Sequence, residues 1–413
     1  MNKLLVIGYV WPEPNSSAAG SRMMQLLEFF QSKDYQITFA TTAAKTIHMV
    51  NLDELGIKSV AIELNNTSFD TFIKDLNPKA VMFDRFMMEE QFGWRVNVIC
   101  PDALRILDTE DLHFLRNLRE LQYKNPQIEK SDSELSDLAK RELASIYRCD
   151  LSLIISEQEM TLLIEKYLLP ASLLFYLPFL IETTKYSELP NFEDRQHFIS
   201  IGNFRHQPNY NAVLYLKEEI WPLIKSKLPE AEMHIYGAYP SQKVTQLHNP
   251  KERFLVKGWA KNSEEVVSKA RVNLAALRFG AGLKGKLIES MQCGTPSVTT
   301  SIGAEGINDD NTWNGFIEDS PESFASAAVE LYTNKESWIK AQKKGFEILR
   351  ERFSKAKYSN LFQERLHQLI DHLNDHRQKN IVGQIISHHQ LKSTYYLSKY
   401  IELKNKLEAL QNK

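Results

Sequence analysis

The sequence has few cysteines and no excess of charge of either sign. Its 413 residues contain three cysteines that lie far apart, Cys100, Cys149 and Cys293. This excludes a disulfide framework and a paired-cysteine metal site, and it favours a reducing compartment. The formal net charge is -2 at pH 7, whereas a dedicated nucleic-acid binder carries a strong basic excess. We therefore expect no nucleic acid among the partners.

Long hydrophobic runs are also missing. No apolar stretch reaches the roughly 18 residues that a membrane-spanning helix requires. The apolar residues 4–10 resemble the start of a secretory signal, but Trp11 and Pro12 interrupt them at once. A buried first strand of a parallel sheet explains this segment better. The sequence predicts a soluble, cytoplasmic protein, with peripheral contact at the inner membrane face as a further option.

The sequence does contain short apolar runs that alternate with amphipathic segments, which is typical of βα units and a parallel sheet. In the first half, strands are predicted at residues 4–9, 36–41, 60–63, 80–84, 103–108 and 151–156, with helical segments at 20–32 and 114–146. In the second half, strands are predicted at 198–203, 232–237, 254–258, 272–277 and 297–300, with helices at 209–227, 263–270 and 284–293.

This pattern predicts the α/β class, with two Rossmann-like, doubly wound domains that face each other across a cleft. We place the first domain at 1–180, a linker at 181–195 and the second domain at 196–352. Residues 353–376 are expected to form a helix that returns to the first domain, and 377–413 a basic helical tail. Tyr396, Tyr400, Leu403, Leu407 and Leu410 in the tail follow a heptad-like spacing. Packing on its own domain, dimerisation and contact with an anionic membrane surface all remain open for the tail.

The most informative segment is GAGLKGKLIE at residues 280–289, between a predicted strand and a predicted helix. Its glycines permit tight turns and a close approach of backbone N–H groups to a ligand. The N-terminus of a helix carries unpaired N–H groups and a partial positive charge, to which Lys284 and Lys286 add full charges. Together these features predict a pyrophosphate site. Glu289, one helical turn after Lys286, is placed to accept hydrogen bonds from a ribose diol.

The segment 280–289, followed by GTPSVTT at 294–300 and GAEGI at 303–307, resembles the donor-site signature of family-4 retaining glycosyltransferases, the group 1 type. IGNFRHQPN at 201–209, Gly237 and VKGW at 256–259 agree in order and spacing. The resemblance covers roughly residues 197–310 and the first domain only loosely. It implies the GT-B fold, metal-independent transfer from a nucleoside-diphosphate sugar such as a UDP- or GDP-sugar, and retention at the anomeric carbon.

By the same resemblance, Lys286 holds the diphosphate, with Lys284 or Arg205 as neighbours, and Glu289 holds the ribose. The other donor-site residues expected from it are Gly20, Asn203, Gly237, Gly280, Ala281 and Gly282. Many relatives carry a glutamate at the position of Ala281, although a subgroup with Gly-Ala-Gly-x-Lys shows the same replacement. The sequence therefore gives no basis for naming the sugar. No metal and no further cofactor are expected.

The acceptor side is expected around residues 108–113, which follow a predicted strand end where open α/β sheets bind ligands. His113 is a candidate for contact with the donor sugar, and Asp111 for orienting it. A helix cap is the alternative role for this segment. We expect a glycan, lipid-linked or protein acceptor, in bacterial surface polysaccharide synthesis. A non-catalytic scaffold of the same fold and a sugar-nucleotide epimerase are the alternative functions.

Overall fold

The computed structural model describes residues 2–128, 135–182, 189–307 and 312–411, with residues 389–391 described by their backbone only. Within these residues the chain forms two α/β domains, each built on a fully parallel sheet. The two sheets share the strand order of doubly wound folds, in which the chain starts in the middle and winds outward in both directions. The predicted α/β class with two Rossmann-like domains is confirmed.

The N-terminal sheet has the order β3-β2-β1-β4-β5-β6-β7. Its strands are β1 (Asn2–Gly8), β2 (Tyr35–Thr41), β3 (Lys58–Ala61), β4 (Ala80–Asp84), β5 (Leu104–Asp108), β6 (Leu151–Ile154) and β7 (Leu174–Tyr176). The helices that flank it are α1 (Ala18–Gln31), α2 (Ser68–Leu76), α3 (Phe86–Ile99), α4 (His113–Lys124), α5 (Asp137–Arg148) and α6 (Glu157–Thr161), which runs on into a π-helical turn (Leu162–Lys166).

The C-terminal sheet has the order β10-β9-β8-β11-β12-β13. Its strands are β8 (Gln196–Ile201), β9 (Met233–Tyr236), β10 (Phe254–Gly258), β11 (Ala270–Ala275), β12 (Ser297–Thr299) and β13 (Gly315–Ile317). Its helices are α7 (Gln207–Tyr215), α8 (Trp221–Lys227), α9 (Gln242–Thr245), α10 (Ser263–Lys269), α11 (Gly285–Gln292), α12 (Ser301–Ala304), α13 (Pro321–Thr333) and α14 (Lys335–Arg352). A π-helical turn (Leu216–Ile220) joins α7 to α8.

The long helical segment predicted at 114–146 is two helices in the structure. The first, α4, ends at Lys124, and α5 begins after Ser136, whose hydroxyl accepts a hydrogen bond from the Ala139 N–H at 3.2 Å. Such a side-chain cap satisfies one of the N–H groups that a helix start leaves unpaired. Part of the exposed stretch between the two helices, residues 129–134, lies outside the described residues.

The chain after α14 crosses back to the N-terminal domain. Ile181, on the outward connection, donates its N–H to the carbonyl of Phe353 at 2.8 Å and accepts the N–H of Lys355 at 3.0 Å. The two connections between the domains therefore lie side by side. Beyond them, α15 (Lys355–Asp371) packs Phe362 and Leu366 into the apolar core under the N-terminal sheet, and α16 (Leu373–Lys379) and α17 (Ile381–Gln411) follow. Among the described residues, no helix is long and apolar enough to cross a membrane.

Candidate donor and acceptor cleft

A cleft of about 1450 Å³ lies between the two domains, at the carboxyl ends of both parallel sheets. Loops after β1, β4 and β5 line it from the N-terminal domain, and loops after β8, β9 and β11 from the C-terminal domain. Open α/β sheets bind ligands at these strand ends because the loops there diverge and helix N-termini point inward. The geometry marks this cleft as the candidate functional site.

Helices α1 and α11 meet across the cleft at their N-termini. A Cβ on Gly285, the first residue of α11, would lie 2.5 Å from the Cβ of Ala18, the first residue of α1. Only glycine permits this approach. Gly280 and Gly282, in the loop before α11, have φ values of 156° and 61°, a region that side chains disfavour. The sequence of this loop therefore allows two helix N-termini to face one space.

Lys286 lies in the first turn of α11 and reaches the loop after β8. Its Nζ donates a hydrogen bond to Oδ1 of Asn209 at 2.6 Å. Gly202 leaves room for this contact, since a Cβ there would lie 2.8 Å from the ammonium nitrogen. Burial lowers the pKa of Lys286 to about 8. A buried ammonium with no carboxylate within ion-pair distance among the described residues gains most from an anionic ligand.

Lys284 turns back onto its own loop and donates to the Gly282 carbonyl at 2.9 Å. Its nearest carboxylate oxygen is Oε2 of Glu305, at 3.8 Å. Burial lowers the pKa of Lys284 to about 8, although Glu305 opposes the shift. Glu289 lines the same cleft beside Ser263, and burial raises its pKa. The structure thus brings both lysines and the glutamate to one wall.

Contacts between the domains also border the cleft near Lys286. Asn203 donates from Nδ2 to the hydroxyl of Ser16 at 3.1 Å. The guanidinium of Arg205 lies 3.5 Å from the ring centroid of Tyr239, whose hydroxyl donates to Glu13 at 2.7 Å. Asn203 and Arg205 therefore both lie on the surface of the cleft.

Gly20 and Gly237 also line the cleft, but each is explained by packing. A Cβ on Gly20 would lie 2.4 Å from the backbone of Glu13, and one on Gly237 would lie 2.0 Å from the carbonyl oxygen of Gly202. The loops around them therefore require glycine for close backbone approach. Ala281 lines the same cleft, between the two strained glycines.

The candidate acceptor-side residues lie on the N-terminal wall of the cleft. They face residues 280–284, the loop before α11, which we call the glycine loop. Asp111 accepts hydrogen bonds from Arg116, and a Cβ on Gly282 would lie 2.7 Å from the Cβ of Asp111. Burial alone would raise the pKa of Asp111, but the charges of Arg116 and His113 outweigh it and lower the pKa. Nδ1 of His113 lies 3.1 Å from the Asp111 carbonyl oxygen, so this nitrogen carries the proton. The site residues that the sequence predicted in the two domains therefore face each other across one cleft.

Several residues that shape the cleft were not identified from the sequence. Glu159 accepts hydrogen bonds from the N–H of Gly282 at 2.8 Å and of Leu112 at 3.1 Å, and burial raises its pKa to about 8. Arg119 pairs with Glu305 between the two domains. Arg119 lies inside a helix and Glu159 belongs to no glycine motif, so no local pattern marks either residue; both act between segments far apart in the chain. Glu305 lies in the GAEGI segment that the sequence analysis identified, but its partner Arg119 could not be inferred from it.

The strand ends of β4 and β5 carry a second group of charged residues. Arg85 and Glu110 both have positive φ, 71° and 62°, and both line the cleft. Asp84 accepts the N–H of Tyr9 at 3.0 Å, and Nε of Arg85 lies 3.8 Å from its other oxygen. Strained non-glycine residues cluster at functional sites because the surrounding fold must hold them. Among the described residues, no group of three or more His, Cys, Asp or Glu is placed to hold a metal ion.

Residues 195–334 match the model of the family described as Glycosyl transferases group 1. This match confirms the resemblance seen in the sequence, and it covers the domain that carries Lys284, Lys286 and Glu289. A comparison with curated proteins gave no match.

Solved structures of glycosyltransferases share the fold. The sucrose-phosphate synthase of Thermosynechococcus elongatus superimposes with a TM-score of 0.65 at 12% identity, over 90% of this chain and 100% of that one. A TarM variant of S. aureus, in complex with Fondaparinux, alpha-GlcNAc-glycerol and UDP, gives 0.68 at 11% identity, over 90% and 100%. Anabaena HepE in complex with UDP and glucose gives 0.65 at 13% identity, over 89% and 100%. The chain has the GT-B architecture.

Proposed function

We propose that the protein is a glycosyltransferase that moves a sugar from a nucleoside-diphosphate sugar to an acceptor hydroxyl. The observation that carries this proposal is the meeting of the α1 and α11 N-termini across the cleft, beside the buried ammonium of Lys286. Both helix ends present unpaired N–H groups and partial positive charge, which suit a diphosphate. The family match of residues 195–334 supports the same activity.

The donor lies along the C-terminal wall in this proposal. Lys286 binds the diphosphate, with Lys284 close by, and Glu289 accepts hydrogen bonds from the ribose hydroxyls. UDP is the first nucleotide to test, with GDP next, because the similar HepE structures hold UDP, UDP and glucose, or UDP-glucose. The structure of TarM likewise contains UDP.

The chemical step requires stabilisation of the negative charge that develops on the leaving β-phosphate. Lysine ammonium groups, backbone N–H groups and a helix N-terminus provide this stabilisation in a site shielded from water. Two carboxylates beside the glycine loop are already engaged, Asp111 by Arg116 and Glu305 by Arg119. We therefore propose that the leaving phosphate takes the proton of the acceptor hydroxyl and that the anomeric configuration is retained.

The acceptor enters from the N-terminal wall, where His113 and Asp111 lie opposite the glycine loop. His113 contacts the donor sugar in this arrangement, and the carbonyl of Asp111 fixes its ring. We propose a surface glycan or its lipid-linked precursor as the acceptor class. The fold shared with WaaG, a glycosyltransferase involved in lipopolysaccharide biosynthesis, supports this setting at a TM-score of 0.60 and 11% identity.

Titration of the purified protein with UDP, GDP, ADP and CMP by calorimetry tests the proposal. We expect one nucleoside diphosphate to bind and Lys286→Ala to weaken its binding strongly. Lys340→Ala is the matched control, because Lys340 is exposed on α14 away from the cleft. Glu289→Ala is expected to weaken the binding of the nucleotide but not that of inorganic pyrophosphate.

Release of the nucleotide from the matching sugar donor then tests for transfer, and proton NMR of the product reports the anomeric configuration. Binding without any turnover on a panel of donors and acceptors would favour a scaffold. Conversion of one sugar nucleotide into another would favour an epimerase. No binding of any nucleoside diphosphate would refute the proposal.

A further inference from the structure

The C-terminal helix α17 packs one side against the N-terminal domain. Ser398 accepts a hydrogen bond from Nη2 of Arg95 at 2.9 Å, and Glu402 accepts one from the hydroxyl of Thr67 at 3.2 Å. The ring of Tyr395 meets Trp94 edge-on at 5.5 Å between centroids. Positions 395, 398 and 402 lie on one helical face. This face anchors the helix and fixes which side points outward.

The opposite side of α17 exposes a long row of apolar residues, which we call the outer stripe. At 100° per residue the stripe occupies a sector of about 80°, and a helix of this length extends about 46 Å. Its members are between 47% and 70% exposed: Val382, Ile385, Tyr396, Tyr400, Leu403, Leu407 and Leu410. The row is continuous from Tyr396 to Leu410, and the exposed Lys392 and Ser393 separate this part from Val382 and Ile385. A continuous exposed apolar row on a folded protein marks an interaction site.

Lysines flank the outer stripe on both sides. Lys399 and Lys406 lie along one edge and Lys404 along the other, and all three ammonium groups are on the surface. They contact Glu402 and Glu408, which lie on the side of the helix away from the stripe. The pair of Lys404 with Glu408 is exposed and contributes little net energy, so Lys404 can turn toward an anionic surface. Lys399 and Lys406 share the one carboxylate of Glu402, so that edge keeps a net positive charge while the lysine stems cover apolar area.

A second copy of the helix does not fit this charge pattern. From Tyr396 onward the stripe has the 4-3-4-3 spacing of a coiled-coil seam, but Lys399 and Lys406 flank it on one edge and Lys404 on the other. Two copies would place lysine against lysine in either orientation, which is destabilising. The pattern of an apolar stripe, lysines at its edges and carboxylates far from it instead suits a helix lying in the interface of an anionic lipid layer.

We propose that α17 binds the surface of an anionic lipid bilayer, with the outer stripe buried among the lipids and Lys399, Lys404 and Lys406 against the headgroups. Since the anchored side holds Arg95 and Thr67 of the N-terminal domain, the binding would place that domain against the bilayer. The proposal does not depend on the donor or on catalytic activity.

Co-sedimentation of the full chain with vesicles tests it. We expect binding to phosphatidylcholine vesicles that contain phosphatidylglycerol, weakened by salt, and little binding to phosphatidylcholine alone. Leu403→Asp with Leu407→Asp should abolish binding. Leu168→Asp is the matched control, because Leu168 is 76% exposed outside α17 and its positive φ of 54° suits aspartate.

A second pair of variants tests the charge. Lys404→Glu with Lys406→Glu should weaken binding to the anionic vesicles at least tenfold, whereas Lys340→Glu with Lys343→Glu on α14 should not. Circular dichroism checks that each variant is folded. Equal binding to both vesicle types, or none to either, would overturn the proposal. Dimerisation in light scattering that the leucine variants abolish, without vesicle binding, would assign the stripe to a second copy instead.

Discussion

Arg119 of α4 binds both carboxylate oxygens of Glu305, at 2.6 and 2.7 Å, although the two residues belong to different domains. Its Nη1 also donates to the carbonyl of Gly280 at 2.8 Å. The guanidinium therefore joins the N-terminal domain to two segments of the C-terminal domain, the loop before α11 and the end of α12. A bidentate pair of this kind fixes geometry as well as adding energy, so Arg119 holds the two domains together at this side of the cleft.

Replacing Arg119 tests whether this contact between the domains matters for the proposed transfer. We expect Arg119→Met to lower kcat/KM for the sugar nucleotide about tenfold, the effect of losing hydrogen bonds to a charged group. The nucleoside diphosphate itself should bind nearly as before, because Lys286 and Glu289 stay in place. Steady-state kinetics and calorimetry on the same preparation separate the two effects.

The control for Arg119 is Arg253→Met, which removes an exposed ion pair with Glu230 outside the cleft. It should leave kcat/KM unchanged, since exposed pairs contribute little. Exchanging the charges, with Arg119→Glu and Glu305→Arg together, should recover part of the activity. Loss of nucleotide binding in Arg119→Met would show instead that the C-terminal domain is damaged.

Gly282 supplies a second test of the close approach between the domains. A Cβ at this position would meet the Cβ of Asp111 at 2.7 Å. We expect Gly282→Ala to reduce turnover at least tenfold, because the clash keeps the cleft open. Gly258→Ala is matched in backbone strain, with φ 79° and no atom within 4 Å of the added Cβ, so each should lower the stability by about 1 kcal/mol. Equal turnover of the two variants would mean that strain alone decides the outcome.

The sequence predicted those parts of the fold and site that depend on neighbouring residues. The glycines and lysines of residues 280–289 lie in one βα turn, so their spacing already shows a strand end, a loop and a helix start. Runs of buried residues such as Leu4 to Ile7 indicate central strands for the same local reason. The doubly wound α/β class then follows from the alternation of strands and helices.

Features that depend on distant residues could not be predicted in this way. Gly282 and Glu159 are 123 positions apart, and Arg119 and Glu305 are 186 positions apart. Edge strands β7 and β13 have three residues each, which is too short for a hydrophobic period to appear. Strand β3 begins at Lys58 rather than at residue 60, because its register with β2 and not its apolar run sets its ends.

His113 tests the proposed contact with the donor sugar. We expect His113→Ala to lower turnover about 100-fold, within the range for a positioned acid-base or polar group. Binding of the nucleoside diphosphate should not change, because the ring lies on the N-terminal wall. His367→Ala is the control, since His367 is exposed on α15. Full activity of His113→Ala would mean that His113 only forms the start of α4 and does not contact the sugar.

The two buried lysines predict how nucleotide binding depends on pH. In the free protein Lys284 and Lys286 have a pKa of about 8, so both are mostly charged at pH 7 and mostly neutral at pH 9. A bound diphosphate favours the ammonium forms and raises both pKa values. Above pH 8, binding therefore requires proton uptake, and the association constant for UDP should fall up to tenfold per pH unit for each lysine.

Calorimetry of UDP binding from pH 6.5 to 9.5 measures this fall, and repeating the titration in buffers of different ionisation enthalpy counts the protons taken up. UDP itself does not titrate in the upper range, because a terminal phosphate has its second pKa near 6. Lys286→Met should weaken binding at pH 7 and remove one of the two protons, whereas Lys340→Met should match the wild type. An association constant that stays level across this range would show that neither lysine holds the diphosphate, and the donor site would then have to lie elsewhere in the cleft.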